Sequence, residues 1–411
     1  MRTMNKIKFL RSKLKFFSNI YNGNSIPDDK KDSFVNKKIP YIATKNIDAD
    51  THQIDYENGL SVNEDDGFRI AKTKSSLLCI EGGSAGKKLG YLNQEVAFVN
   101  KLCCFTPKNI DSKFLFYSLQ SSDFLSEFSL HLTGMIGGVK IGEIKNLYIS
   151  YPDDLGEQHK IACFLDRKIG QMDNLISNQE KQIEKLKEYR QAIITKAVTK
   201  GLDPNVPMKD SGIEWIGKIP CNWEILRLKY CFSVRNEKYE NGNYDYVALE
   251  NVESFSGKYI ATESNAFYSL AETIRANRND VIFGKLRPYL SKAFLIAKDC
   301  YVSSEFAVLY GLGGNRTSFL KYLLISSKFI DVINSSTYGT KMPRANIDFI
   351  RNLGIAIPDV KTQKEIVNYL DETCSKIDWL IDVKVKKIAQ LSNYKKSLIY
   401  EYVTGKKRVS L

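Results

Sequence analysis

The 411-residue sequence predicts an α+β fold built twice: two similar globular domains, each followed by a long helix, the two helices pairing as an antiparallel coiled coil. Three observations carry that expectation. Residues 158–201 align without a gap on residues 363–406, an offset of 205. In both stretches apolar residues recur at alternating steps of four and three, the spacing of a coiled-coil seam. Ahead of each stretch lie short β-rich runs interleaved with brief helical ones. A direct repeat of this kind gives the molecule a pseudo-two-fold relation.

The repeat sets the organisation. Its identities include Ile161/Ile366, Leu165/Leu370, Asp166/Asp371, Asp173/Asp378, Leu175/Leu380, Ile183/Ile388, Leu186/Leu391, Tyr189/Tyr394, Val198/Val403 and Thr199/Thr404. Upstream, Pro40-Tyr-Ile-Ala-Thr-Lys-Asn-Ile47 resembles Asp245-Tyr-Val-Ala-Leu-Glu-Asn-Val252. Gly142-Glu-Ile-Lys-Asn-Leu147 resembles Asp348-Phe-Ile-Arg-Asn-Leu353, each before a strand-like run ending at Pro152 or Pro358. The chain therefore divides into a globular domain (1–155), a spacer helix (156–201), a linker (202–222), a second globular domain (223–357) and a second spacer helix (358–411).

Within the domains, strands are expected at Ser76–Ile80, Ala97–Val99, Asp280–Phe283 and Phe306–Leu309, and brief helices at Phe114–Leu119 and Phe319–Ile325. The seam of the first long helix is Leu165, Ile169, Met172, Ile176, Ile183, Leu186, Ile193 and Ala197, completed by Gln179 and Arg190. That of the second is Leu370, Cys374, Ile377, Ile381, Ile388, Leu391, Leu398 and Tyr402, completed by Lys384 and Lys395. The polar interruptions coincide in the repeat. Thr362-Gln-Lys-Glu365 reads as a capping box at one helix start, and Asp154-Leu-Gly-Glu157 as a looser one at the other. Gly201 and Gly405 stand where the helices should stop.

A helix of this length is a rod of about 65 Å. The linker is too short to return comfortably along it, so the second helix is expected to run back antiparallel, with a globular domain at each end. Duplex DNA lying along such an object meets two contact sites separated by an unread gap.

Composition agrees with an intracellular polyanion binder. Hydrophobic residues make up 43% and charged residues 26%, enough for packed cores and against global disorder. Sixty Lys and Arg against 47 Asp and Glu leave +13, spread over both domains and both helices rather than held in one basic arm. Eight cysteines (Cys79, Cys103, Cys104, Cys163, Cys221, Cys231, Cys300, Cys374) include no Cys-x-x-Cys pair, which favours reduced thiols. His52, His131 and His159 are far apart, which argues against a His-rich metal site or a His-based triad. No apolar run approaches the roughly 18 residues of a membrane span, and a cytoplasmic location is expected.

Cationic, glycine-rich loops follow matched strands: Glu81-Gly-Gly-Ser-Ala-Gly-Lys-Lys88 and Gly284-Lys-Leu-Arg-Pro-Tyr289. A second pair, Thr133-Gly-Met-Ile-Gly-Gly-Val-Lys140 and Tyr338-Gly-Thr-Lys-Met-Pro-Arg344, precedes the last strands. Glycine allows close backbone approach to phosphate, lysine neutralises it, and a planar guanidinium reads guanine edges. The candidate DNA-binding residues are Lys45, Ser84, Lys87, Lys88 and Lys140 in the first domain. In the second they are Lys285, Arg287, Tyr289, Lys292, Tyr338, Lys341 and Arg344. The loop positions match but their sequences differ, as expected of two readers of different sequences.

No catalytic residues are identified. A phosphate loop fails because Glu81 holds the position of the first glycine and Lys88 that of the hydroxyl residue. Asp123 and Glu143-Ile-Lys145 resemble part of a nuclease motif, but Phe349-Ile-Arg351 lacks the acid. A self-contained Mg²⁺-dependent nuclease, or a rod joining two protein-binding domains, is the alternative to a DNA-reading adaptor.

The stretch Gly201-Leu-Asp-Pro-Asn-Val-Pro-Met-Lys-Asp-Ser-Gly-Ile-Glu-Trp-Ile-Gly-Lys-Ile-Pro-Cys-Asn-Trp223 resembles the inter-repeat linker of the DNA-specificity subunits of type I restriction–modification systems. The repeated Pro…Gln-x-x-Ile-x-x-x-Leu-Asp helix entry (Gln158, Ile161, Leu165, Asp166; Gln363, Ile366, Leu370, Asp371) is also family-like, and the similarity covers essentially the whole chain. The resemblance implies two target-recognition domains, each reading half of a bipartite double-stranded DNA sequence, and helices that set the gap and dock two modification subunits. Those partners would carry adenine methylation and S-adenosylmethionine, and restriction subunits would add cleavage with ATP and Mg²⁺. This chain itself would bind no cofactor and no metal. One departure is expected: Leu14-Lys-Phe matches Leu228-Lys-Tyr, but no first copy of Trp-Ile-Gly-Lys-Ile-Pro-x-x-Trp precedes it, so the first domain is trimmed at its entry.

Overall fold

A computed structural model describes residues 8–134, 137–237, 245–261, 273–337, 339 and 341–409. The chain forms two compact units, residues 1–179 with 385–411 and residues 180–384. The first comprises β1 (Phe9–Lys13), β2 (Ser18–Asn22), β3 (Ile39–Ile42), β4 (Leu60–Val62), β5 (Ile70–Ala71), β6 (Ser76–Cys79), β7 (Leu89–Tyr91), β8 (Val96–Phe98), β9 (Leu102–Pro107), α1 (Ser112–Ser118), α2 (Ser122–Leu130), α3 (Ile141–Ile144), β10 (Tyr148–Pro152) and the start of α4 (Leu155–Lys200). The linker folds as a hairpin of β11 (Met208–Asp210) and β12 (Lys218–Pro220). The second unit then runs β13 (Glu224–Arg227), α5 (Leu228–Cys231), β14 (Phe232–Arg235), β15 (Tyr246–Val247), β16 (Thr273–Ala276), β17 (Val281–Gly284), β18 (Ala293–Leu295), β19 (Cys300–Ser303), β20 (Phe306–Gly311), α6 (Thr317–Ile325), α7 (Ser327–Ser335), α8 (Ile347–Asn352), β21 (Gly354–Ile357) and the first part of α9 (Val360–Val403), whose remainder belongs to the first unit.

The repeat predicted from sequence is a repeat of topology. Sheet β2-β9-β6-β7 corresponds to β14-β20-β17-β18, the parallel pair β3–β8 to β15–β19, and the antiparallel pair β1–β10 to β13–β21. Strand β6 is buried at all four residues because it lies between two layers. Alternation sends Leu78 to the core shared with α1, α2 and α4, and Leu77 and Cys79 to the core shared with β8. In the second unit Val281 and Phe283 face the helices while Ile282 faces the second sheet.

The family-like helix entry has a physical explanation at every position. The buried Gln158 donates to the carbonyl of Pro152 (2.8 Å) and accepts from the amide of Asp111 (2.9 Å). Gln363 repeats this with Pro358 (2.9 Å) and Arg316 (2.9 Å). Ile161, Leu165, Ile366 and Leu370 are fully buried. Asp166 accepts from the hydroxyl of Tyr117 (2.6 Å), and Asp371 from that of Tyr322 (2.5 Å). Burial of each ring, and then the carboxylate it donates to, hold the phenol well above its usual pKa. The cap of α9 differs from the expected box, while that of α4 is Asp154 as expected. Asp359 is the cap of α9, accepting from the amides of Lys361 and Thr362 and from the Thr362 hydroxyl, so Thr362 lies inside the helix. Asp154 does the same for α4 through the Gly156 amide.

Both helices stop at glycines in the left-handed region, Gly201 (φ 74°) and Gly405 (φ 77°). Trp223 packs on Gly201, and Phe9 lies so close to Gly405 that a Cβ there would clash with its ring. Phe9 starts β1 as Trp223 precedes β13. β1 thus pairs with β10 as β13 pairs with β21, and Phe9 stands at the position of Trp223.

Inside each unit the long helices run antiparallel. In the first, Lys395 of α9 pairs with Asp173 of α4 at 2.8 Å. In the second, Arg190 of α4 pairs with Asp378 of α9 at 2.5 Å, and Lys384 bonds Gln182. Arg190 and Lys395 are repeat equivalents, as are Asp173 and Asp378. One contact is thus made twice. Every apolar seam residue named above is buried or half-buried.

The two ion pairs differ in burial. Side-chain exposure is 7% and 13% for Arg190–Asp378, against 10% and 35% for Lys395–Asp173. Asp378→Ala strands Arg190, and also Lys258, which bonds the same carboxylate at 3.0 Å. It is expected to destabilise the second unit by about 3 kcal/mol. Asp173→Ala is expected to cost the first unit about 1 kcal/mol, since Asp173 is partly solvated. Hydrogen exchange in the two halves of α4 checks this; an equal or reversed order would contradict it.

Candidate nucleic-acid interface

In each unit the two cationic loops are tied to each other by backbone. In the first, Gly82 donates to the carbonyl of Gly137 (2.8 Å), Val139 donates to Ile80 (3.0 Å), and Glu81 bridges Gly138. In the second, Arg287 donates to Pro343 (2.8 Å), Ala345 donates to Lys285 (2.9 Å), and Leu286 bridges Arg344. The bridges Glu81–Gly138 and Leu286–Arg344 occupy equivalent places in the repeat. Two loops that the sequence separates by about fifty positions thus form one braced surface per unit.

The lysines divide into two groups. Lys88 donates to the carbonyl of Thr44 (2.8 Å) and Lys292 to that of Leu249 (2.7 Å), each pinning a matched 3-10 turn. Burial pushes the Lys292 ammonium below its usual pKa, opposed by Glu250. The turns Thr44–Asn46 and Leu249–Asn251 are held by Asn46 and Asn251, whose side chains accept from Ala43 and Ala248 and donate to Asn58 and Ile260. At the tip of one turn the exposed residue is Lys45; at the other it is Glu250. The scaffold is shared and the displayed charge is opposite.

Lys45, Lys87, Lys140, Arg287, Tyr289, Lys341 and Arg344 are exposed, while Ser84 and Lys285 are half-buried. Tyr338 lies outside the described residues. Lys87 donates to the carbonyl of Gly83 (3.1 Å). Arg344 pairs with Glu305, which shares it with the loop's own charge balance. Burial lowers the pKa of Lys285, with Glu305 opposing and Arg344 adding to the shift. Arg287 stands apart. It adopts a left-handed backbone (φ 51°), as does Ser291 (φ 50°), and its guanidinium has no side-chain partner among the described residues. A non-glycine residue held there by its neighbours is strained, and such strain concentrates at functional positions.

The first unit also holds cations that the sequence does not mark. Lys15, Lys108 and Lys145 line a cleft of about 460 Å³ with Ser18, Asn19 and Tyr21. They come from three separate segments, so only the fold brings them together. Glu143, the acid of the nuclease-like motif, accepts from the Lys140 amide (3.1 Å) at the start of α3. Among the described residues no helix is long and apolar enough to cross a membrane.

Comparison with known proteins agrees with this architecture. The family model described as the type I restriction modification DNA specificity domain matches twice, over residues 8–187 and 222–393. The type I restriction enzyme MjaVIII specificity subunit of Methanocaldococcus jannaschii is 28% identical over 366 residues, covering 83% of this chain and 80% of that protein. The EcoDI specificity subunit of Escherichia coli is 21% identical over 296 residues, 65% of this chain and 64% of that one. Among solved structures, a chain from a type I restriction–modification complex superposes with a TM-score of 0.71 at 12% identity, over 97% of this chain and 98% of that one. The HsdS subunit of Thermoanaerobacter tengcongensis superposes with a TM-score of 0.51 at 13% identity, over 97% of each chain. With two family matches laid on the two halves of a duplicated fold, this chain belongs to the type I restriction–modification DNA specificity family and is a DNA sequence-recognition subunit.

Proposed function

We propose that each globular unit reads one half of a bipartite double-stranded DNA sequence and that the helix pair sets the unread gap. The observation that carries this reading is the pair of braced loop surfaces, equivalent in backbone and different in side chains. A scaffold that displays Lys45 in one copy and Glu250 in the other recognises two different half-sites. The chain acts without catalysis of its own. Two modification subunits methylate adenine with S-adenosylmethionine, and restriction subunits add ATP- and Mg²⁺-dependent cleavage. The position of Glu143 at a helix start, engaged by a backbone amide, favours this reading over a nuclease.

Arg287 is assigned the role of base reader in the second half-site. Alanine keeps the Cβ and the same strained backbone, so Arg287→Ala removes the guanidinium alone. Affinity should fall by about 1–3 kcal/mol for DNA bearing the correct second half-site, with discrimination at the first half-site intact. Binding titrations on DNAs altered in one half-site at a time check this, and equal loss of discrimination at both half-sites would refute it.

The boundaries between the compact units fall after Gln179 and Lys384. Inserting one heptad at each of these points keeps the seam in phase. It should lengthen the preferred gap by about 10 Å, or three base pairs. A selection over DNAs of varied gap reads the result directly. An unchanged preference would mean that the helices are not the ruler.

A further inference from the structure

The first unit contains a nucleophile, a base and an orienting acid in contact, although the wide spacing of the histidines argued against any His-based triad. Cys163 and His159 lie one turn apart on α4, with the thiol sulfur 3.4 Å from Nε2. His159 Nδ1 lies 3.0 Å from Oδ2 of Asp111. Asp111 is itself fixed. Its Oδ1 caps α1 by accepting from the amides of Lys113 and Phe114, both at 2.9 Å, and its own amide donates to Gln158 of α4. The carboxylate therefore accepts a hydrogen bond from Nδ1–H, which leaves Nε2 as the acceptor facing the thiol.

The repeat tests whether the fold needs these residues. Their equivalents in the second unit are Arg316, Lys364 and Asn368. The same junction forms there, with the Arg316 amide donating to Gln363. The relay is thus an addition to the scaffold. Of the eight cysteines only Cys163 and Cys221 are exposed.

We propose that Cys163 is an activated thiol whose co-reactant is a low-molecular-weight disulfide, making this face of α4 a reversible modification site. His159 Nε2 takes the thiol proton as the sulfur attacks one sulfur of the disulfide. A Cys163–S–S–R bond forms, the reagent's S–S bond breaks, and the departing thiolate leaves with the proton from His159. Cys163 is oxidised to the disulfide level and half of the reagent is reduced to thiol.

The test incubates the full chain with glutathione disulfide at pH 7 and follows mixed disulfides at Cys163 and Cys221 by peptide mass spectrometry. Each rate is divided by that of the same cysteine in the urea-unfolded chain. Cys163 should exchange roughly tenfold faster than Cys221 or more. His159→Gln and Asp111→Asn should each bring it to the Cys221 rate; asparagine retains the capping oxygen of Asp111. Equal rates at the two cysteines, or a fast Cys163 in either variant, would overturn the proposal. The comparison between the two cysteines in the unmodified chain decides alone if a variant does not fold.

Discussion

Two charged contacts along a mostly apolar seam, Arg190–Asp378 and Lys395–Asp173, fix the register of the long helices. An apolar seam alone slides by a heptad at modest cost, because Ile and Leu accept many neighbours. A buried guanidinium does not: displaced by a heptad it loses its carboxylate and remains in a dry site. The same polar layer also positions the globular parts. Lys395 donates to the carbonyl of Asp50, and Lys258 and Gln191 tie the loop around Phe255 to the helices of the second unit. Register and loop placement are set by one repeated arrangement.

Duplication explains which parts stayed the same. The glutamines at the helix entries, the Tyr–Asp bonds, the turn asparagines and the terminal glycines each satisfy a backbone or buried polar group that the fold cannot leave unpaired. Substituting them would cost both units alike. The loop tips have no such obligation. Lys45 and Glu250, or Gly138 and Arg344, occupy equivalent places with different chemistry, the difference to which the proposed reading assigns the two half-sites.

The seam, the helix ends and the order of elements were legible because they are periodic or punctuated by glycine. Strands such as Ser76–Cys79 and Phe306–Gly311 fell within one or two residues of their expected places. The cap of α9 was misplaced by three residues, because Thr362 and Glu365 look like a box while the carboxylate of Asp359 binds the first amides more strongly. Candidate loops were found by composition, yet their pairing through Glu81–Gly138 and Leu286–Arg344 depends on strands far apart in sequence. For the same reason nothing in the sequence showed that Lys88 and Lys292 are committed to carbonyls, or that Lys15, Lys108 and Lys145 share a cleft. Nor did the sequence show that Phe9 packs on Gly405 as Trp223 packs on Gly201, since Phe9 stands outside any copy of the tryptophan motif.

The central claim is that one chain reads two DNA sites at a fixed separation. Mapping N6-methyladenine across the genome, with this gene intact and deleted in a cell that makes the modification subunits, tests it most directly. The account predicts a motif of two short defined sequences around a constant unread gap, present with the gene and absent without it. A methylation pattern unchanged by deletion, or a lost motif that is a single uninterrupted sequence, would contradict it.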